Sequence, residues 1–247
     1  MSDIGPDLLN DLHALATKSR IENASRYHKT GPGQYGEGDR FIGVCLPEIR
    51  KVAKTYIDLP FVKLEEIINS PIHEERLCGL IILTLRYNRD TDQQSREKLF
   101  TFYLKMLRAG CVNSWDLVDA TAPIIGDYLL EQPDHMELLE KLAQSKSVWQ
   151  RRCAIIFTFA FLRKGITTPT LAVAEKLLDD RHDLIHKAVG WMLREMGKRD
   201  PVLLRTFLTI HATHMSRTSL RYAIEKFPEL ERREWLAKDT TKRSLSN

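Results

Sequence analysis

The chain has 247 residues, 43% hydrophobic and 28% charged, with a formal net charge of +4. This is the composition of an ordinary soluble protein, with enough apolar residues for a substantial core in one large domain or a continuous repeat array. Cys45, Cys78, Cys111 and Cys153 lie far apart with no C-x-x-C pair, which excludes zinc-clip and dithiol redox chemistry and predicts buried free thiols.

The N-terminal "MSDIGPDLLNDLHALA" lacks a basic flank followed by a long apolar segment. The longest near-apolar run, "AIIFTFAFL" at 154–162, is too short to span a bilayer. The expected location is cytoplasmic, with no membrane contact. Next comes "TGPGQYGEGD" at 30–39. It has no G-K-[ST] ending and follows no strand, so a nucleotide site is not expected. It reads instead as an exposed loop, about 30–43, ahead of a helix that begins near Pro47, a residue suited to a first helical turn.

From there apolar residues recur at three- and four-residue steps, in "RLCGLIILTLRY", "LLEKLAQ", "RCAIIFTFAFL", "LAVAEKLL" and "AVGWMLREM". No segment sustains a strand alternation. Pro71, Pro133, Pro169, Pro201 and Pro228 fall between the runs, which predicts roughly a dozen helices joined by short turns. The tail "ERREWLAKDTTKRSLSN" is polar and basic, and residues 239–247 are expected to fray.

The runs resemble one another. "VDATA" at 118, "RRCAI" at 151, "HKAVG" at 186 and "LRYAI" at 220 share one shape, with a polar second residue: Asp119, Arg152, Lys187 and Arg221, at intervals of 33, 35 and 34. "ERLCG" around Arg76 is a further copy at the longer interval of 43. Such a period belongs to paired-helix repeats whose stack curves. The four polar side chains are expected to form a line on one face, the candidate groove. Trp115 precedes Asp119 by four residues, Trp191 follows Lys187 by four and Trp149 precedes Arg152 by three, each one helical turn from the line. A core position is the commoner explanation for any single Trp.

Charge is uneven as well. Residues 1–143 carry 17 basic and 22 acidic side chains, net −5, whereas residues 144–247 carry 20 and 11, net +9. A polyanion laid across the second region fits this asymmetry, because each phosphate paired with Lys or Arg releases condensed counterions. A solvated basic face is the simpler alternative.

Within "NSWDLVDATAPII", residues 113–125, two carboxylates read differently. Asn113 or Ser114 is a natural N-cap, and Asp116 then lies in the first turn, where the helix dipole accounts for it. Asp119 lies one turn further in, shares a face with Trp115, and precedes by four residues Pro123, which has no N–H for the Asp119 carbonyl. A kink or break is expected there. A lone carboxylate in a polyanion groove repels phosphate and makes sense where positive charge develops. Hydrolysis of a glycosidic bond passes through an oxocarbenium-like sugar, and a base made cationic by alkylation leaves readily, so one carboxylate suffices to stabilise the sugar and orient water. Tryptophan faces attract such cations by about 0.5 to 2 kcal/mol each. Arg152 is suited to fork onto a phosphate.

"WDLVD" with "WQRRCAI" and "KAVGWMLRE" resembles the AlkD-like DNA alkylation repair proteins, DNA glycosylases built from HEAT-like repeats. The correspondence runs from "RYHK" at 26 to "SLRYAIEKF" at 219, with the motifs in order. The resemblance implies an all-α curved solenoid of HEAT-like antiparallel helix pairs, a single domain over 1–247 with a concave basic groove. It implies that Asp119 is the catalytic carboxylate and that Trp115, Arg152, Trp191 and Tyr27 are substrate-binding positions, beside Lys187 and Arg221 from the polar line. The implied reaction is excision of cationic alkylated purines, of the 3-methyladenine and 7-methylguanine type, from double-stranded DNA. It would be monofunctional and would need no metal or organic cofactor. The base need not be flipped into a pocket, unlike the general strategy. A monomer, bacterial in type and associated with the nucleoid when on DNA, is expected. This chain departs from the best-known members in having Ser114 where they carry a second tryptophan and in its glycine-rich insert, whose Lys29, Tyr35 and Arg40 are placed to touch DNA.

Two other classes compete. A non-catalytic binder of damaged or branched DNA would use the same basic face with Asp119 as a spacer, and a protein-binding scaffold would line its groove with apolar side chains. The complete set of Trp115, Asp119, Arg152 and Trp191 favours the enzyme. His182 and His186 have i, i+4 spacing without H-E-x-x-H or a third ligand and read as surface or capping residues, not as a metal pair.

Overall fold

The computed structural model describes residues 4–238; the expected frayed tail, 239–247, lies outside them. Among the described residues the chain is all-α, with fourteen α-helices, one 3₁₀ segment and a single isolated bridge between Arg40 and Ile72. It divides into two compact units, one ending at Ile125 and one starting at Gly126. No helix is long and apolar enough to cross a membrane.

The first unit contains α1 (Ile4–His13), α2 (Lys18–Tyr27), α3 (Leu46–Thr55), α4 (Phe61–Ile68), α5 (His73–Arg89), α6 (Gln93–Arg108) and α7 (Trp115–Ile125). Helix α5 is apolar on almost every face, from Leu77 through Leu83 to Tyr87, and is therefore the one that sits in the middle. It packs on α3, α4, α6 and α7. The second unit contains the 3₁₀ segment Gly126–Glu131, α8 (His135–Ala143), α9 (Val148–Arg163), α10 (Thr168–Lys176), α11 (Asp183–Gly197), α12 (Pro201–His211), α13 (Arg217–Ala223) and α14 (Glu229–Ala237). Here α9, α11 and α13 pack side by side, with α8, α10 and α12 against them.

The repeat read from sequence thus falls on alternate helices: Asp119 on α7, Arg152 on α9, Lys187 on α11 and Arg221 on α13. The prolines act locally as their chemistry requires. Pro47, Pro169 and Pro201 occupy first turns, where a missing N–H costs nothing, and Pro228 is the N-cap of α14. Pro123 does not break its helix: α7 continues to Ile125 and only then gives way to the 3₁₀ segment. Two residues from the helix end, it removes a single α-type bond. The buried Tyr103 hydroxyl and Thr121 Oγ1, 2.9 Å apart, tie α6 to α7 just before it. Three of the four free cysteines are buried, and Cys45 is half-buried at the N-cap of α3.

Close approach sets the α11–α13 spacing. A Cβ on Gly190 would lie 2.5 Å from the Ser219 carbonyl oxygen and 2.5 Å from Tyr222 Cβ, and Ser219 Oγ donates to the His186 carbonyl at 2.9 Å. Gly190→Ala should therefore push the two helices apart and destabilise the protein by about 1 to 3 kcal/mol. Urea unfolding monitored by circular dichroism would measure this, and an unchanged midpoint would show that the interface gives way freely.

Candidate active site

The glycine-rich segment after α2 is exposed at residues 32–34 and at Glu37 and Gly38, as its composition predicts, whereas Phe41, Gly43 and Val44 just beyond it are buried. Its tip closes on itself through Gly31 N–H to Gln34 Oε1 at 3.1 Å and Gly33 N–H to Glu37 Oε2 at 2.9 Å. Its second half is fastened to the head of α5. The buried Glu74 carboxylate accepts three successive main-chain N–H groups, from Ile42 at 3.0 Å, Gly43 at 2.8 Å and Val44 at 3.4 Å. Gly43 has φ +79° and its Cβ would fall 2.2 Å from the Thr17 carbonyl oxygen, so only glycine fits. The His73 N–H completes the seam by donating to the Arg40 carbonyl at 2.8 Å.

This anchoring delivers Asp39 into the interior, with 5% of its side chain exposed. Asp39 Oδ2 accepts from His73 Nδ1 at 2.7 Å, and Oδ1 accepts from Arg76 Nη2 at 2.7 Å. The other nitrogen of His73, Nε2, donates to Asp116 Oδ2 at 2.8 Å. One imidazole therefore joins the loop to the first turn of α7. His28, the residue after α2, lies 3.7 Å from Asp116 Oδ1 through Nδ1 and 3.2 Å from Ser114 Oγ through the same atom. Its ring stacks on Trp115 with centroids 5.2 Å apart and planes 13° apart, while the Tyr27 ring meets Trp115 edge-on at 5.2 Å. Phe41 stacks on His73 at 4.5 Å.

His28, Phe41, His73, Glu74, Trp115, Asp116 and Asp119 line one cavity of about 410 Å³ inside the first unit, with Ala24, Val44, Leu46, Ile49 and Leu77 as apolar wall and Arg50 among its lining. Tyr27 is 68% exposed, and Trp115 and Asp119 are half-buried. In the second unit Arg152 is buried, and its guanidinium donates to the Leu184 carbonyl. Lys187 pairs with Asp183 one turn before it at 2.7 Å. Trp191 is half-buried, with its ring 6.3 Å from Phe159, and Arg221 is exposed. Trp149 is a core residue. His182 caps α11 by accepting from the Leu184 N–H, and His186 bonds to the Asp180 carbonyl.

The electrostatics follow from the contacts. Burial works against the His73 imidazolium, yet its bonds to Asp116 and Asp39 outweigh that and raise it to about 9. Burial likewise works against the Asp116 carboxylate, but the hydrogen bond and charge of His73 bring it down to about 2. Asp39 is held below its ordinary value, its own burial outweighed by His73 and Arg76. His28 moves the other way: burial keeps it below 6.5 against the pull of Asp116. Near neutral pH the group is thus His73⁺ and Arg76⁺ with Asp39⁻ and Asp116⁻, beside a neutral His28. His28, His73 and Asp116 also offer ligand atoms within 4.8 Å of one another. A cation held there would have to displace the proton that His73 shares with Asp116.

Sequence reasoning missed His73, Asp39 and His28. Nothing in spacing links residue 39 to 73 or 116, and Asp116 was already accounted for by its place in a first helical turn.

Stability should follow the clamp. His73 lies above its unfolded value of 6.5, so its contribution is complete below that pH and is lost as pH rises through about 9. Asp116 lies below 3.8, so the same interaction is present above that pH and is lost as pH falls toward about 2. Unfolding free energies measured across pH should show a plateau between about 4 and 6.5 and a decline on both sides, with the alkaline decline flattened in His73→Gln. An equal alkaline slope in the variant would assign that loss to other groups.

The family described as DNA alkylation repair enzyme matches residues 8–227 of the chain. The fold is shared with a solved structure described as a predicted DNA alkylation repair enzyme from Enterococcus faecalis, at 17% identity and a TM-score of 0.65 over 87% of this chain and 97% of that one. No curated protein gives a significant match. With the family match spanning most of its length, the chain belongs to the DNA alkylation repair enzyme family.

Proposed function

We propose that the protein is a monofunctional, metal-independent DNA glycosylase. It hydrolyses the bond between deoxyribose and a cationic alkylated purine, of the 3-methyladenine or 7-methylguanine type, in duplex DNA and so opens base excision repair. The observation that carries this reading is the placement of Asp119 and Trp115 on the wall of one cavity, with Tyr27 edge-on to the indole. Family membership supports a role in alkylation repair.

In this mechanism the glycosidic bond breaks with its electron pair going to the base, which leaves neutral because it entered as a cation. Asp119 stabilises the positive sugar, then orients a water toward C1′ and takes the proton that the water loses. Trp115 and Tyr27 offer π faces and edges to the cationic base or sugar. On the second unit, Lys187 and Arg221 contact phosphates, with Trp191 beside them. Arg152 is buried with one guanidinium nitrogen on the Leu184 carbonyl, so it is less available to a phosphate than the exposed Arg221. The partner is a duplex carrying alkylated bases, held by a monomer in the cytoplasm, at the nucleoid.

Asp119→Asn should slow release of 7-methylguanine from methylated duplex about 10²- to 10³-fold while duplex affinity changes little. Chromatography of released bases measures this, and undiminished release in the variant would remove Asp119 from the chemistry. A wild-type protein that binds the duplex but frees no base would be a non-catalytic binder.

A second experiment concerns the basic face. Replacing Lys187 and Arg221 together with Ala should weaken duplex binding and reduce the slope of log affinity against log salt by about 2. An unaltered slope in a salt titration by fluorescence anisotropy would place the phosphates elsewhere.

A further inference from the structure

We infer that His73 is a positioning residue for base excision: by donating to Asp39 Oδ2 and Asp116 Oδ2 together, it fixes the head of α7, and with it Trp115 and Asp119, against the glycine-rich loop. The inference rests on the glycosylase reading for its rate consequence and on geometry alone for its structural one.

The imidazole is 2% exposed and meets both carboxylates at 2.7 and 2.8 Å. Asp116 follows Trp115 directly and precedes Asp119 by one helical turn, so any rotation of the first turn of α7 moves the indole and the carboxylate together. The plane of the indole is set by a pile of rings. Trp115 lies on His28, and His28 lies 4.7 Å from His73, which in turn lies on Phe41. The pile is laterally fixed at its base by the two carboxylates on His73. Buried ion pairs add little stability over apolar packing of the same volume. What this pair supplies is orientation: two carboxylates from distant segments are held at set distances from one ring.

Asp39→Asn is the informative variant. Asp39 is joined to α7 through His73, so a change at Trp115 in that variant reports the relay and not damage to the packing of α7 itself. The charged and titratable groups around His73 are Asp39, Asp116, Arg76 through Asp39, His28 at 4.7 Å, and, facing the same cavity, Arg50, Glu74 and Asp119.

The test uses the full chain with His73→Gln and Asp39→Asn. Single-turnover release of 7-methylguanine should fall about 10- to 100-fold in each, with duplex Kd within about threefold, because a small misplacement costs rate more than binding. The near-UV circular dichroism band of Trp115, taken as the difference between each protein and its Trp115→Phe counterpart, should collapse in both. The double variant should be no slower than the worse single one. Wild-type rate and an intact Trp115 band in folded Asp39→Asn would overturn the inference, and that variant decides alone where His73→Gln does not fold. A wild-type protein that releases no base defeats the glycosylase reading separately. The Trp115 band then remains the measure of positioning, and its persistence in Asp39→Asn overturns it.

Discussion

One protonated imidazole held between two carboxylates is the constraint on which the first unit's cavity depends. Asp39, His73 and Asp116 come from a loop, the start of α5 and the start of α7, and each alone would be a costly buried polar group. Joined, with Arg76 on the far oxygen of Asp39, they form a nearly neutral group whose internal distances are fixed. The cavity inherits that fixity. Its aromatic wall is a stack of rings resting on His73, and its acidic wall is the next turn of the helix that His73 secures.

The helical repeat was legible because it is a local property repeated four times. Apolar spacing and a polar marker every 33 to 35 residues identify alternate helices, and the structure puts the markers on α7, α9, α11 and α13. The prolines at 169 and 201 fall between apolar runs in the sequence and begin helices in the structure, a difference of one turn that propensity does not resolve. The half of the site built on α7 was also legible, since Trp115 and Asp119 lie one turn apart on a single helix. The rest was not. Asp39 sits in a segment whose glycines suggest solvent, and its burial depends on Glu74 gathering three amides from 32 to 30 residues away. Arg152 shows the converse: a charged residue at a repeat position reads as surface, yet it is spent on a carbonyl of the adjoining α11.

The two units present different chemistry. In the first, the exposed Tyr27 and the half-buried Trp115 offer aromatic surface next to carboxylates. In the second, which belongs to the part of the sequence richer in Lys and Arg, the polar markers are cationic. On the proposed glycosylase reading that division has a sense: phosphates call for the second kind of surface and a cationic lesion for the first.

The fastening of residues 42–44 by Glu74 also divides the glycine-rich loop into parts with unequal freedom to vary. The tip at 31–34 is closed by bonds within the loop itself, so residues can be added or removed there with little consequence for the interior. Between Asp39 and Val44 a single inserted residue would slip the register of amides against one carboxylate and withdraw Asp39 from its ring. Length variation among chains sharing this loop should therefore collect before Asp39 and stop there.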